Sequence, residues 1–247
     1  MSTGVQTLTG KFVWHDNQST DAAKAKDFYT TLFGWETEPF PGADYTMIKS
    51  GGQLHGGFGT AQGGAPSHWI GNILVTDVDE TVTRAESAGG RVISEAMDIP
   101  EVGRFAVIAD PQGAVFSIFT PKGDPPAGEG VFVWDELLTT DVDDAKRFYG
   151  EILGWTTKDM PMGEMTYTMF KRAGDIDAGG LMQRPREDIP PNWTTYIGTQ
   201  DVDKTATKAK ELGATILMEP TDIPDAGRFA IIQDPTGGVF GIWQGTS

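Results

Sequence analysis

Ile99–Phe119 has the sequence IPEVGRFAVIADPQGAVFSIF, and Ile223–Trp243 repeats it as IPDAGRFAIIQDPTGGVFGIW. The two stretches are identical at 13 of 21 positions, so the chain contains an internal repeat. In each copy, Asp-Pro-x-Gly separates two runs of apolar and β-branched residues. Such a tetrapeptide between two runs of this kind is typical of a turn between strands. Each copy therefore predicts a β-hairpin.

The repeat also predicts the domain organisation. Asp110 and Asp234 lie 124 positions apart, and 247 residues suit two domains of about 120 residues each. Three prolines and three glycines between residues 121 and 130 indicate a linker. We therefore predict a flexible N-terminal arm at residues 1–10, a first domain at 11–121, a linker at 122–130 and a second domain at 131–247.

Each predicted domain contains two modules of similar order. The first begins with a strand and a helix, at Phe12–Asp16 and from Thr20 in the first repeat and at Phe132–Glu136 and from Thr140 in the second. Three further strands follow, and the same order returns after a polar loop. The sequence thus predicts four β-α-β-β-β modules, two in each repeat. Thr140 is predicted to cap its helix, with Asp143 in the capping-box position.

Composition limits the classes of partner. The net charge of −16 and the pI of about 4.4 repel phosphate backbones and anionic lipids, so we expect no nucleic-acid partner and no membrane partner. The chain has no cysteine, which excludes thiolate metal sites and a cysteine nucleophile. Its polar start predicts no signal peptide, and no apolar run reaches the roughly 20 residues of a membrane span. We expect a cytoplasmic protein.

Three motifs, each present twice and in the same order, resemble the vicinal oxygen chelate superfamily of glyoxalases, bleomycin-resistance proteins and extradiol dioxygenases. The motifs are a helix with Asp21, Phe28-Tyr29 and Gly34-Trp35, matched by Asp141, Phe148-Tyr149 and Gly154-Trp155; the Asp-Val-Asp sequences that follow a strand; and Asp-Pro-x-Gly-x-x-Phe. The resemblance covers nearly all of residues 11–244. Within the superfamily, the chain is most similar to the two-domain glyoxalase-like or hydroxylase-like group.

The resemblance implies an α+β fold. It consists of a tandem repeat of two glyoxalase-like domains, each with two βαβββ modules that form a cupped mixed or antiparallel sheet. It also implies that each cup holds a small molecule, with a divalent metal at its floor in many members. The chain would then be a monomeric pseudo-dimer of what other members build from two chains, or a homodimer of such chains.

The metal ligands of typical members fall on unsuitable residues in this chain. Counted from Phe-Tyr, the ligand of the first strand falls at Trp14 and Trp134, and the ligand after Asp-Pro-x-Gly falls at Ser117 and Gly241. The ligand that opens the second module falls near Ile70 and Thr194. Hard divalent ions prefer carboxylate oxygen or imidazole nitrogen. We therefore expect no metal cofactor, although Ser117 remains a candidate ligand-binding residue.

A divalent metal held by other residues is the minority alternative. His15, His55 and His68 all lie in the first repeat and could form an unusual three-histidine site. However, alternation along the strand sends His15 to the face opposite Trp14. The sequence leaves open whether the three histidines meet in space.

Two acidic residues are the candidate catalytic groups. If Trp14 and Trp134 face the cups, alternation places Asp16 and Glu136 on the same faces. A carboxylate in a mostly apolar pocket can act as a general base or accept a hydrogen bond from a ligand. The alternative is a structural role, as a cap or as the partner of Arg104 or Arg228. We expect Glu136 to matter more than Asp16, because Leu137-Leu138 follow it.

The remaining candidate ligand-binding residues would line the cups or their rims. Met47, Met169, Trp69, Trp193 and Tyr196 are candidate walls, although such residues are more often core. Arg104 and Arg228 could bind an anionic ligand at the rim, or lie on the surface of a strand.

These observations leave three functions open. The first is a small-molecule-binding protein that acts by sequestration or by metal-free acid-base chemistry. The second is a metal-dependent lyase, isomerase or dioxygenase with a displaced ligand set. The third is a catalytically silent scaffold whose cups are filled by side chains. The sequence does not identify the ligand.

Overall fold

The computed structural model of the chain describes residues 7–125, 130–162 and 165–246. In these residues each repeat contains eight strands and two helices. The first repeat consists of β1 (Phe12–Ser19), α1 (Ala22–Phe33), β2 (Glu36–Pro39), β3 (Thr46–Ser50), β4 (Gln53–Thr60), β5 (His68–Leu74), α2 (Val78–Ser87), β6 (Arg91–Ile99), β7 (Gly103–Ala109) and β8 (Val115–Pro121). The second consists of β9 (Phe132–Thr139), α3 (Val142–Leu153), β10 (Thr156–Met162), β11 (Met165–Arg172), β12 (Ile176–Gln183), β13 (Asn192–Gly198), α4 (Val202–Glu211), β14 (Thr215–Ile223), β15 (Gly227–Gln233) and β16 (Val239–Gly245).

The strand order is the same in both repeats. One sheet has the order β2-β3-β4-β1-β5-β8-β7-β6, and the other has the order β10-β11-β12-β9-β13-β16-β15-β14. In each sheet the first strand of a module pairs in parallel with the last, and the consecutive strands form antiparallel hairpins. The predicted α+β fold, with two βαβββ modules in each repeat, is therefore confirmed.

Each of the helices α1 to α4 begins after an aspartate whose side chain accepts a hydrogen bond from the backbone N–H three residues on: Asp21, Asp77, Asp141 and Asp201. The prediction that Thr140 caps α3 is therefore wrong by one residue. Asp141 accepts from the N–H of Asp144 at 3.0 Å, and its carboxylate also interacts favourably with the positive end of the helix dipole. Gly89 and Gly213 follow α2 and α4 with φ of 95° and 91°, the left-handed backbone conformation with which many helices end.

The described residues fall into two compact units, and each takes one module from each repeat. The first unit draws on Met1–Val13, Gly71–Pro126 and Asp135–Trp193. The second draws on Trp14–Ile70, Ala127–Trp134 and Thr194–Ser247. The sheets follow the repeats and the compact units do not, so the domain boundaries at 11–121 and 131–247 remain a prediction.

Each unit has its own aromatic core on the helix-bearing side of its strands. In the first unit Phe116, Phe148 and Tyr149 are fully buried in a cluster with the apolar faces of α2 and α3. In the second unit Tyr29 and Phe240 are fully buried with the apolar faces of α1 and α4. We call the side of the strands opposite to these helices the open face.

The predicted arm and linker are only partly described. Residues 1–6 of the arm and 126–129 of the linker lie outside the described residues. Of the rest of the arm, the carbonyl of Gly10 accepts a hydrogen bond from Trp155 Nε1 at 3.1 Å, and that of Thr7 accepts one from Arg172 Nη1 at 2.6 Å. Among the helices of the described part of the chain, none is long and apolar enough to cross a membrane.

Candidate functional site

Trp14, Asp16 and Tyr45 form a hydrogen-bonded group on the open face of the second unit. The indole Nε1–H of Trp14 donates to Asp16 Oδ1 at 3.1 Å and to the phenol oxygen of Tyr45 at 2.8 Å. The Tyr45 hydroxyl in turn donates to Asp16 Oδ1. The predicted placement of Trp14 and Asp16 on one face is thus observed, and Tyr45 joins them.

Strand register explains why these three residues meet. Asp16 on β1 pairs with Gly57 on β4, and Gly57 pairs with Met47 on β3. Asp16, Gly57 and Met47 therefore lie in one row across the three strands. Tyr45 precedes Met47 by two residues, which directs both to the same face. A Cβ atom at Gly57 would lie 2.1 Å from the Cζ and hydroxyl oxygen of Tyr45. The glycine therefore makes room for the tyrosine ring beside the carboxylate.

The phenol of Tyr45 stays protonated over the ordinary pH range. Burial raises its pKa well above the usual value of 10, and the negative charge of Asp16 and the hydrogen bond to it raise it further. A protonated phenol can donate only one hydrogen bond, and that bond goes to Asp16. Tyr45 therefore orients the carboxylate and does not act as a base.

Glu136 occupies the matching register position in the second sheet. It pairs with Gly180 on β12, and Gly180 pairs with Met169 on β11. Along β9, Trp134, Glu136 and Leu138 are half-buried, and the residues between them are Asp135 and Leu137, both buried. Leu137 lies in the core of the first unit, so only Leu138 shares the face of Glu136. The expectation that both leucines keep water away from Glu136 is therefore wrong for Leu137.

Ser117 and Gly241 occupy equivalent positions in the two sheets but have different surroundings. Ser117 pairs with Asn72, is buried, and donates a hydrogen bond to the carbonyl of Ala106 at 3.2 Å. Gly241 pairs with Tyr196, and a Cβ atom at Gly241 would lie 2.2 Å from Tyr196 Cδ1. Tyr196 thus covers one of the positions where the superfamily resemblance implies a metal ligand.

Trp69 and Trp193 lie in the cores, which is the more common of the two roles that the sequence permits for them. In the second unit Trp69 Nε1 donates to the hydroxyl of Tyr29 at 2.8 Å, and this hydroxyl donates to Asp234 Oδ2 at 2.8 Å. In the first unit Trp193 Nε1 donates to the hydroxyl of Tyr149, which donates to Asp110. Because β5 and β13 are buried on both sides, their sequences show no alternation that would have indicated which face each tryptophan takes.

Asp110 and Asp234, the aspartates of the repeated turns, were not among the predicted site residues and have structural roles. Asp110 Oδ1 accepts backbone N–H groups from the three residues at 112–114 within its own turn. Burial raises the pKa of Asp110, whereas these N–H groups and the hydroxyl of Tyr149 lower it. Asp110 and Asp234 thus connect their turns to α3 and α1 through hydrogen bonds from Tyr149 and Tyr29. The repetition of Asp-Pro-x-Gly in both copies was the sequence signal for this structural role.

Arg104 and Arg228 hold helices against hairpins. Arg104 donates from Nε and Nη2 to Asp79 at the start of α2, at 2.9 and 2.8 Å, and from Nη1 to Asp98 on β6 at 3.0 Å. Arg228 makes the same contacts with Asp203 and Asp222. The hydrogen bonds from Arg104 also lower the pKa of Asp79. Both arginines therefore lie on strand surfaces, which is one of the two roles that the sequence permits for them.

The residues at the implied metal positions do not fit a divalent cation. Trp14, Trp134, Gly241 and Ile70 offer no side-chain donor of the kind that such ions prefer, and Ser117 and Thr194 offer only hydroxyl groups. His15 stacks on Phe132 with ring centroids 4.2 Å apart, while His55 and His68 contact the carbonyls of Ser50 and Pro66. Within the described ranges, no group of three or more His, Asp or Glu side chains is placed to hold a metal.

Two cavities of the first unit lie away from the predicted ligand-binding residues. One, of about 370 Å³, is lined by residues of α3 and β10–β12, including Lys146, Asp159 and Met165. The other, of about 170 Å³, lies between residues 9–10, the end of β5 and the end of α3. Neither cavity includes Asp16 or Glu136.

Comparison with known families assigns both repeats. Residues 13–119 match the family described as the glyoxalase-like domain, and residues 132–242 match the Glyoxalase/Bleomycin resistance protein/Dioxygenase superfamily. The protein CFP32 of Mycobacterium tuberculosis, whose name assigns it provisionally to the glyoxylases, is 36% identical over 241 residues, which cover 93% of this chain and 92% of CFP32. The chain belongs to the glyoxalase superfamily. The resemblance to vicinal oxygen chelate proteins is thus confirmed.

Two further proteins extend the comparison. The anthracycline biosynthesis protein DauV of Streptomyces sp. strain C5 is 34% identical over 256 residues, covering 94% of this chain and 92% of DauV. The crystal structure of the Mn(II)-bound glyoxalase from Novosphingobium aromaticivorans superposes with a TM-score of 0.62 at 20% identity, covering 94% of this chain and 80% of that one. At this identity the structural match shows a shared fold.

Proposed function

We propose that this chain binds a small organic molecule on the open faces of its two sheets, by sequestration or by acid-base chemistry that uses no metal. The observation that carries the proposal is the Trp14, Asp16 and Tyr45 group. At the register position that the resemblance assigns to a metal ligand, the chain has an indole that donates hydrogen bonds to a carboxylate and a phenol. Aromatic surface with a few fixed polar groups is typical of organic-ligand sites.

The two acids have different roles in this proposal. Asp16 Oδ1 accepts hydrogen bonds from Trp14 and Tyr45, which fix its position and suit it to orient a ligand. Glu136 has the longer side chain at the matching position, beside the half-buried Trp134 and Leu138. We assign to Glu136 the acid-base step, or the hydrogen bond that recognises a ligand hydroxyl or amine.

The names of the relatives support a ligand with a carbonyl or a planar ring. CFP32 is named for glyoxylase chemistry and DauV for anthracycline biosynthesis. A planar ligand would pack against Trp14 or Trp134, with Met47 or Met169 as the neighbouring apolar wall. We further propose a cytoplasmic location and a monomeric pseudo-dimer or a homodimer, as expected from the sequence.

Specific observations favour each of the two other functions. The Mn(II)-bound state of the Novosphingobium glyoxalase supports a metal-dependent lyase, isomerase or dioxygenase with a displaced ligand set. The tyrosine rings over Gly57 and Gly241 support a silent scaffold, because each ring fills part of an open face. A compound that binds in a thermal-shift screen distinguishes a ligand-binding protein from a scaffold whose faces are filled by side chains.

The experiment begins with a thermal-shift screen of carbonyl and planar aromatic compounds, followed by calorimetry on single variants. Glu136→Gln keeps the shape and removes the charge, so we expect binding to weaken by about 1.5–3 kcal/mol, the worth of a charged hydrogen bond. Asp16→Asn is expected to weaken binding less. Glu86→Gln, an exposed substitution on α2, is the matched control and leaves affinity unchanged. Equal affinity for Glu136→Gln and the parent would show that Glu136 is not the recognition group.

A further inference from the structure

The smaller cavity of the first unit has an arginine in its wall. The cavity has a volume of about 170 Å³ and lies against Thr9 and Gly10, the end of β5 and the end of α3. Arg84, in the last turn of α2, completes the lining. Because one water takes about 30 Å³ in the liquid, the cavity has room for about six water molecules. It therefore suits a small molecule and not a large aromatic one.

In the second unit a lysine occupies the position equivalent to Arg84. Lys208 lies in the last turn of α4, and its Nζ donates hydrogen bonds to the carbonyls of Thr31 at 2.6 Å and Leu32 at 3.0 Å. Both carbonyls belong to the last turn of α1. The last carbonyls of a helix have no partner within the helix and carry partial negative charge, which favours a cation there. An ammonium group therefore fits the end of α1.

Arg84 contacts its own helix instead. Its Nη2 donates to Thr81 Oγ1 at 3.3 Å, and its Nε lies 4.0 Å from Glu80 Oε1. The equivalent of Leu32 in the first unit is Ile152, which lines the cavity together with Arg84. The cavity thus lies beside the helix end that Lys208 contacts in the other unit. Because the Arg84 side chain is 44% exposed and its ion pair with Glu80 is long, the guanidinium group can bind a further carboxylate.

We propose that this cavity of the first unit binds a small α-amino acid. The carboxylate of the amino acid accepts hydrogen bonds from Arg84 and from the hydroxyl of Thr76, which also lines the cavity. Its ammonium group donates to the carbonyl of Ile152 at the end of α3, as that of Lys208 does to Leu32. A small side chain packs against Leu74. The site is independent of the proposed function of the open faces.

Titration of the ¹⁵N-labelled full chain with L-alanine and with L-serine tests this site by NMR. We expect saturable shifts of the backbone amide signals of Gly10 and Gly154, which both line the cavity. Acetate and methylammonium each carry only one of the two charges. We expect each to bind more weakly by about tenfold or more, the effect of losing one charged hydrogen bond. Absence of shifts with both amino acids, or equal affinity for acetate and L-alanine, would overturn the proposal.

Two variants of Arg84 test its role. Arg84→Lys gives the first unit the residue of the second, so the new side chain competes with the ligand for the end of α3. Arg84→Gln keeps the cavity and removes the charge. We expect both variants to bind L-alanine more weakly by about tenfold or more. Arg186→Lys, at an exposed arginine of the same unit, is the matched control and keeps the parent's affinity. Parent-like binding by both Arg84 variants would contradict the proposal.

Discussion

The ring of Tyr45 occupies the space that a side chain at position 57 would need, since a Cβ atom on Gly57 would lie 2.1 Å from Cζ of Tyr45. Because Gly57 also pairs with Asp16, the glycine sets both the position of the ring and its distance from the carboxylate. The arrangement on this open face therefore depends on a residue that has no functional group.

Replacing Gly57 tests directly whether this glycine positions Tyr45. Gly57→Ala forces Tyr45 away from Asp16, and overpacking of this kind typically costs about 1–3 kcal/mol of unfolding free energy. We expect a loss of that size in urea unfolding, together with a changed near-ultraviolet circular dichroism signal from Trp14. Gly59→Ala is the control, because its Cβ would lie 3.1 Å from the flexible end of Gln18. If both variants behave alike, Gly57 does not position Tyr45.

Alkaline unfolding tests the buried tyrosine networks. Burial raises the pKa of Tyr29 and Tyr149 well above 10, and the charges of Asp234 and Asp110 raise it further. The unfolded chain releases these protons near pH 10 and the folded chain keeps them. Their contribution to stability is therefore fully present below pH 10 and falls above it, by about 1.4 kcal/mol per pH unit for each tyrosine.

Tyr149→Phe removes one of the two phenol protons that the unfolded chain releases near pH 10 and the folded chain keeps. The variant loses stability at every pH because Asp110 and Trp193 lose their shared partner. The informative quantity is the slope of unfolding free energy against pH between about pH 10 and 11.5. We expect this slope to be shallower in Tyr149→Phe by the contribution of one tyrosine. Parallel slopes would mean that Tyr149 titrates in the folded protein as it does in the unfolded chain.

The arginine of the repeated Gly-Arg-Phe sequence is expected to support stability and not ligand binding. Arg228→Gln separates α4 from β14, because Arg228 contacts Asp203 and Asp222. We expect a lower melting temperature with unchanged ligand affinity, and a smaller effect at high salt, where exposed ion pairs are screened. Arg186→Gln, which breaks an exposed pair with Asp188, is the control and leaves both quantities unchanged. Loss of affinity in Arg228→Gln would instead support a rim for an anionic ligand.

The fold could be predicted because the chain repeats its signals. Each module carries its own capping aspartate, C-terminal glycine and strand turns, so an ambiguity in one copy is resolved by the other. The shared face of Trp14 and Asp16 followed from the two-residue period of a strand, which is a local property.

The parts of the site that could not be predicted depend on long-range register or on burial. Tyr45 reaches Asp16 from 29 residues along the chain, and only the pairing of β4 with both β1 and β3 brings it there. Gly57, which pairs directly with Asp16, was the sequence signal that a side chain from another strand fills the space beside this acid. Trp69 and Trp193 are the second residues of strands that are buried on both sides, so alternation does not indicate which face their side chains take.

Ligand calorimetry before and after metal removal tests the central claim most directly. The residues at Trp14, Trp134, Ser117 and Gly241 do not suit a divalent cation, so a ligand found by the thermal-shift screen should bind chelator-treated and untreated protein with the same affinity. Elemental analysis of the untreated sample should find well under one zinc, nickel, iron or manganese ion per chain. Binding that disappears on chelation and returns with Mn²⁺ or Zn²⁺ would contradict the account and establish the metal-dependent alternative.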